Sequence, residues 1–525
     1  MKINNIKFLN FFFIISVLIF SLYCIFSIGL SYDQIFHIEN GERRLRYLFS
    51  LGKYDYYDIL HLRYYPGLYD TISALFSSIF PRNFYYEGFY IFNFIFGLAG
   101  LIGLKKIVKI FFNADVAKYF FILSFFSPIY FGHLAINPKD TIIATSHFWT
   151  LYYVIKYLKS DDEFIRKNIS LKIGLFIGLG AGVRVIFLGT LIPIIFFLFL
   201  EIFFLRKITN KINFKSFIYH LFLIIMVSYF LLILCWPNTH SNILIEPLNI
   251  FLESLKDISQ GVQLSYFYGN FYETKLTPWN YLFINMLFKF PLAYLLCFIL
   301  FFLFYKNIAI YFNSNKNFQY HVIISLILFI FPILIAIFFK LKIHDGIRYF
   351  LYLIPLFNFF PAIYLNFLLK NLKNIYNKII LIFTIPLFII FFIKFLIITP
   401  YQYTYLNILN DIFLKKNSFE NDYWGSSLKE LIKKFSKKID NQKFITISVC
   451  GANSDNVKYY LRKFNIKNFN IVDHNDIFDY AILVNRAIDD NENVKKLTCY
   501  SKFSNKNTFL TINKSFVDLS KIVEY

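Results

Sequence analysis

Apolar residues in this chain come in long runs separated by short polar turns. Runs near 20 residues suit a helix that crosses a bilayer. They stand at Phe8–Leu30, Tyr86–Leu104, Val116–Leu134, Thr141–Leu158, Phe217–Trp236, Tyr281–Tyr305, Val322–Phe339, Tyr349–Leu369 and Ile379–Ile398. The block Ile169–Leu205, broken near Ala181-Gly182, is long enough for two more. The pattern therefore predicts about eleven spans. Phe8–Leu30 lacks a small-residue cleavage site and reads as a retained span that doubles as a signal anchor. From Tyr401 the pattern shortens. Lys443–Cys450 and then Phe469–Val472 and Tyr480–Val484 read as strands, with Asp455–Phe464 as a helix between them. The expected fold is mainly α: a polytopic helical membrane core over residues 1–400 and a small α/β domain over 401–525.

Composition agrees. Of 525 residues, 57% are hydrophobic and 22% aromatic, which excludes an ordinary soluble protein. The net charge of +22 reflects in part the Phe, Ile, Asn and Lys usage of an AT-rich genome. Basic residues in a membrane protein concentrate in cytoplasmic loops, so no nucleic-acid partner is expected. With Lys2 and Lys7 inside, every second loop is basic: Lys105, Lys106 and Lys109; Lys156, Lys159, Arg166 and Lys167; Arg206, Lys207, Lys211 and Lys215; Lys306 and Lys316; Lys370, Lys373 and Lys378. The outer side then holds the loop Ser31–Tyr85, the turn His133–Asp140, the segment Pro237–Asn280, the turn Lys340–Arg348 and the tail. Of five cysteines, Cys24, Cys235 and Cys297 lie in apolar runs as small fillers, while Cys450 and Cys499 could pair if the tail faces an oxidising compartment. No CxxC or His-rich metal spacing occurs.

The candidate chemistry sits on the outer side. Asp33 follows the first span, with His37, Glu39, Glu42, Arg43 and Arg44 close behind. A carboxylate at the membrane boundary suits a general base; Ser31 and Asp33 also suit helix capping, and the acids and arginines suit i,i+4 pairs on an interfacial helix. In Asn137-Pro138-Lys139-Asp140, the acid opens a helix, where an N-terminus favours it; it could equally face Asp33, with Lys139 reaching a phosphate. Arg184 in the break of the long block needs an acid or a phosphate as partner. Lys340, Lys342, His344, Asp345 and Arg348 run against the charge bias of outer loops, which points to a phosphate or pyrophosphate partner. The outer Tyr and Trp residues read mostly as interfacial belt.

In order and side, these pieces resemble the membrane-embedded GT-C glycosyltransferases, specifically the protein mannosyltransferase/aminoarabinose-transferase-like group that uses polyprenyl-phosphate sugars. The resemblance rests on Tyr32-Asp33-Gln34-Ile35-Phe36-His37, on Arg63-Tyr64-Tyr65-Pro66-Gly67, on Asn137-Pro138-Lys139-Asp140, on His344-Asp345-Gly346-Ile347-Arg348-Tyr349 through Pro355, and on Tyr401-Gln402-Tyr403 and Asp422-Tyr423-Trp424-Gly425. It covers nearly all of residues 1–430 through short motifs. It implies sugar transfer with inversion from a polyprenyl-phosphate donor to a lipid, glycan or protein acceptor at the outer face of a bacterial inner membrane. Asp33 and Asp140 would be the catalytic acids, and Lys139 and Arg348 would hold the lipid phosphate. His37, Glu39, Arg43, Arg63, Arg184 and His344 join them as candidate substrate contacts. Such proteins often carry two adjacent acids after the first span; here the second position is Gln34, so neither metal nor cofactor is expected. The tail would cap the catalytic cavity. The rival function is a transporter or lipid-glycan flippase, which calls for polar or broken helices at mid-membrane.

Overall fold

A computed structural model describes residues 2–57, 59–209, 212–256, 264–440, 442–473, 476–490 and 495–525. Every apolar run picked out above is helical, and the long block ends one helix, Glu163–Ala181, at the expected break. By length and apolarity, however, five helices among the described residues qualify as spans, or up to seven if two bent pairs each count once. Helices Asp140–Lys159 and Glu163–Ala181 are long enough but carry too many charged and polar residues, Ile192–Leu205 is apolar but short, and the first helix, Lys2–Ser27, has 26 residues with an apolar stretch over Phe11–Ser27.

Two runs expected as straight spans are bent. Ala114–Phe125 meets Pro128–Ile136 at 66°, and Tyr281–Lys289 meets Leu292–Leu303 at 113°. Pro128 and Pro291 stand at the breaks. Proline lacks an N–H and disfavours the α conformation of the residue before it, so the helix must stop and restart.

Burial sorts the spans. Leu353–Lys370 is 89% buried and forms the centre of the bundle, whereas Phe214–Leu234 at 6% and Ile375–Ile397 at 17% present apolar faces outward. Small residues set the spacing of one central pair. A Cβ on Gly100 of helix Tyr85–Phe111 would meet Thr145 Cα at 3.0 Å, and one on Gly97 would meet the Leu134 and Thr141 side chains. The helix Asp140–Lys159 therefore seats backbone-close, as helices do in lipid where packing replaces the hydrophobic drive.

The polar ends gather into two groups. At one end Lys370 pairs with Asp115 at 3.0 Å, and Asn315 and His321 both bond the Phe111 carbonyl oxygen at 2.7 Å. These loops belong to the basic set. The acidic and mixed loops meet at the other end, with the tail.

The tail carries a five-stranded sheet. Its strand order is Phe469–Val472, Ile445–Cys450, Tyr480–Val484, Val517–Glu524, Asn507–Lys514. The first three are parallel, joined through the helix Ser454–Lys463, and the last two form an antiparallel hairpin. The expected strands and helix appear within two residues of their sequence positions; the closing hairpin was not foreseen. Cys450 and Cys499 are disulfide-bonded with Cα atoms 5.7 Å apart. One apolar cluster runs from Cys24 of the first helix to Ile522 of the sheet, so the tail is packed onto the bundle.

Candidate functional site

The second helix, Gln34–Phe49, buries Gln34, His37, Ile38, Asn40, Gly41 and Arg44, a stripe at helical spacing. That stripe decides which of its charged residues reach the site. Asp33 stands at the N-cap and His37 one turn on. Glu39 and Arg43, i,i+4 on the opposite face, are exposed. Glu39 lies toward Tyr86, and Arg43 donates weakly to the Tyr57 carbonyl oxygen at 3.4 Å. The expected ion pairs along this helix are replaced by other bonds. Glu42 accepts from the Tyr85 hydroxyl at 2.6 Å. Arg44 is fully buried and binds backbone carbonyl oxygens of Pro66, Cys235 and, at 2.8 Å, Tyr65, besides Asn40 Oδ1 at 3.2 Å. A guanidinium has five donors and no acceptor, and converging carbonyls satisfy it without a counter-ion. Arg44 thereby ties the Arg63–Gly67 loop to this helix. Gly67, at φ +74, packs directly on the guanidinium, where a Cβ would lie 2.5 Å from it. Arg63 itself turns outward to Glu253 at 2.8 Å. The structure thus leaves Glu39, Arg43 and Arg63 outside the charged cluster.

The remaining candidates converge. Lys139 Nζ bonds Asp33 Oδ2 at 3.0 Å and lies 5.4 Å from the centre of the Tyr65 ring. Lys139 is held by its turn. Asn137 Oδ1 accepts the backbone N–H groups of Lys139 at 3.2 Å and Asp140 at 2.9 Å, and its Nδ2 donates to Asp140 Oδ2 at 2.9 Å. Asn93 in turn donates to the Asn137 carbonyl oxygen at 3.0 Å. Asp140 is buried and shares its surroundings with Arg184, Arg348 and Tyr349. Arg184 lies over the faces of Tyr65 at 5.2 Å and Tyr349 at 5.9 Å, and no acceptor among the described residues bonds it. Arg348 pairs with Asp345 at 2.8 Å and stacks on Trp424 at 4.7 Å. Its Nη2 also donates to His344 Nε2 at 3.2 Å. Because arginine only donates, that nitrogen must be unprotonated, and His344 is neutral. Burial pushes the His344 imidazole down to about 4, in agreement. His37 Nδ1 bonds the buried Asp70 at 2.9 Å. Lys340 and Lys342 are exposed and stay apart from the cluster.

Asp33 remains partly open, with 36% of its side chain exposed. Burial alone would raise its carboxyl. The charges of Lys139, His37 and Arg348 outweigh burial and hold it well below the usual carboxylate range. Asp345 is also held low: burial opposes it, but Arg348 and Arg486 prevail. Among the described residues no three His, Cys, Asp or Glu side chains form a metal-sized group.

Several participants were missed in the sequence. Asp70 drew no reading in the sequence, and Tyr65 read as interfacial belt. Arg486 and the buried Glu420 sit in the tail; Glu420 lies just before the Asp422–Gly425 motif, while nothing near Arg486 in sequence pointed to the site. The tail also sets the approach to Asp33: the Leu30 N–H donates to the Tyr460 hydroxyl at 2.6 Å, while Asn456 and Asn453 donate to the Ser31 and Tyr32 carbonyl oxygens at 3.0 and 2.9 Å.

A cavity of about 670 Å³ opens between helices, lined by Val154, Ile173, Ala181, Leu191, Phe217 and Leu232 among others. Its lining is almost wholly apolar, and Ala181 and Leu188 bring it to the Arg184 loop.

No family model matches the chain, and no curated protein matches it by sequence. Among solved structures, ArnT from Cupriavidus metallidurans bound to undecaprenyl phosphate aligns with a TM-score of 0.53, over 98% of this chain and 97% of that chain, at 12% identity. The apo form of the same ArnT aligns at 0.53 over 99% and 98%, at 11% identity. The chain has the GT-C fold. The agreement spans both the helical core and the sheet-bearing tail, so the fold expected from motif order holds over the whole length. At 12% identity this likeness extends to the fold alone.

Proposed function

We propose that this protein is a GT-C glycosyltransferase that moves a sugar from a polyprenyl-phosphate donor to a lipid, glycan or protein acceptor at the outer face of a bacterial inner membrane, with inversion. In this reading residues 1–400 form the membrane core and 401–525 an extracytoplasmic domain, consistent with its disulfide. The observation that carries the reading is the meeting of a paired carboxylate and cation, Asp33 and Lys139, with Asp140, Arg184 and Arg348; an apolar cavity reaches Ala181 and Leu188 on either side of Arg184 in the chain. ArnT, whose fold it shares, was solved with undecaprenyl phosphate bound.

The chemistry follows from the groups present. The cavity walls would take the prenyl chain by burial of apolar surface. Arg184, with no acceptor among the described residues, and Lys139 and Arg348 would take the phosphate. As preorganised cations in a dry cleft they would stabilise the charge that grows on the leaving group. Asp33 would accept the proton of an acceptor hydroxyl as that hydroxyl attacks the anomeric carbon from the face opposite the phosphate. His37, held by Asp70, and Asp140, held by Asn137, would position sugar hydroxyls. Product phosphate and glycosylated acceptor then leave.

The test is sugar transfer by purified protein from polyprenyl-phosphate donors, with and without chelator. Asp33→Asn should lose at least about 10²-fold in kcat, the size of general-base catalysis; Lys139→Gln should raise KM for the donor. Full activity in Asp33→Asn would move the base elsewhere, first to Asp140. Lipid or solute movement without transfer would favour a flippase or transporter.

A further inference from the structure

The cations assigned above all belong to the helical core. One more guanidinium reaches the site from the tail. Arg486 follows the strand Tyr480–Val484, and its Nη2 donates to Asp345 Oδ1 at 3.0 Å. Its Nη1 donates to the Tyr423 carbonyl oxygen at 3.1 Å, and it lies over the Tyr32 ring at 5.5 Å. The other oxygen of Asp345 holds Arg348 at 2.8 Å. Asp345 is 4% exposed and sits at φ +54, followed by Gly346 at φ +73. A left-handed turn of this kind fixes where the carboxylate points.

We propose that Arg486 is a positioning residue for Arg348, acting through the shared carboxylate of Asp345. A lone arginine takes both oxygens of a carboxylate in a two-pronged pair. With Arg486 on Oδ1, Arg348 is confined to Oδ2. Its Nε stays without a partner among the described residues, and its plane stays against Trp424. Without Arg486, Asp345 would take Arg348 fork to fork and draw it away from Asp33 and Asp140. The backbone of Arg486 is itself clamped. Its N–H donates to the Val484 carbonyl oxygen at 2.8 Å, and its own carbonyl oxygen accepts from Cys499 N–H at 2.9 Å, a residue disulfide-bonded to Cys450. The tail thus completes the cation site as well as covering it.

This inference rests on the transferase reading, so one of its readouts needs no transfer. The full-length protein is compared with Arg486→Gln, Arg486→Lys, Arg348→Gln and the Arg348→Gln/Arg486→Gln double variant. First, phenylglyoxal modification of Arg348 is mapped by mass spectrometry. Its rate should shift at least threefold in Arg486→Gln and return toward wild type in Arg486→Lys; an unshifted rate overturns the proposal even if no donor supports transfer. Second, kcat/KM for a polyprenyl-phosphate sugar should fall at least tenfold in Arg486→Gln, recover in part in Arg486→Lys, and fall no further when Arg486→Gln is added to Arg348→Gln. Multiplicative losses in the double variant would mean that Arg486 acts independently of Arg348, and would overturn it. Loss of transfer in the wild type alone, with the modification shift intact, would sink the transferase reading and leave the positioning role standing.

Discussion

Two demands on Asp33 conflict. A general base works best with a pKa near the operating pH, yet the Lys139 ammonium at 3.0 Å and the nearby charges of His37 and Arg348 hold this carboxyl far down. In the proposed reaction a bound phosphate would resolve the conflict by drawing Lys139 and Arg348 toward itself, which would return basicity to Asp33 when donor is present. The pH profile should show it: the acid limb of kcat, set by the donor complex, lies at higher pH than that of kcat/KM, set by the free enzyme. Coincident limbs would mean that the phosphate leaves the Asp33–Lys139 pair undisturbed. Glu420 shows the opposite balance. Burial pushes its carboxyl up to about 7, against the pull of Arg486. A raised carboxyl pKa favours the protonated folded state, so its contribution is full below pH ~4.5 and is lost as pH rises through about 7. A shift of this size corresponds to about 3 kcal/mol. Melting temperatures from pH 4.5 to 8 should fall more steeply for wild type than for Glu420→Gln, and parallel curves would discount the buried acid.

At the scale of elements, the helix Gln34–Phe49 and the tail sheet each do one job for the site. The helix has Asp33 at its N-cap and His37 on its buried stripe, and Arg44 on the same stripe pins the following loop through backbone carbonyls. The sheet presents Arg486 from a strand end closed by Cys450–Cys499. That bridge spans 49 residues, and closing a loop of this length restricts the unfolded chain by about 4 kcal/mol. Cys450→Ser/Cys499→Ser should therefore lower the melting temperature and, if the clamp on Arg486 matters, reduce transfer beyond what the lost stability explains. A variant less stable but fully active at low temperature would assign the bridge to stability alone.

For the whole molecule, the sorting of loops into two ends agrees with sidedness read from lysine and arginine. Asp115–Lys370 and the bonds to Phe111 lie at the basic end, and the charged cluster and tail lie at the other. With the basic end inside, a membrane-impermeant thiol reagent should label Lys467→Cys, exposed in the tail, in intact cells. Lys109→Cys, exposed at the basic end, should react only after permeabilisation. Labelling of both from one side would contradict the arrangement. The bent pairs at Pro128 and Pro291 also belong to this scale, since they shorten the count of full spans among the described residues and bring Lys139 and Lys289 to the end that holds the charged cluster and the tail.

The sequence by itself determined what depends on local pattern. Apolar run length set the helices, alternation set the tail strands, and lysine bias set the grouping of loops. The positions of Asp33, Lys139, Asp140, Arg184, His344 and Arg348 were legible because charge at a membrane boundary is costly and stands out. His37, Glu39 and Arg43 read alike in the sequence, and only packing showed that the buried face of Gln34–Phe49 takes His37 and leaves the other two exposed. Only the tertiary structure decided which distant groups meet. Asp70 reaches His37 across 33 residues and Arg486 reaches Asp345 across 141. Such pairings are fixed by how helices and sheet pack, and no residue carries a local mark of a partner that chain folding alone brings within 3 Å.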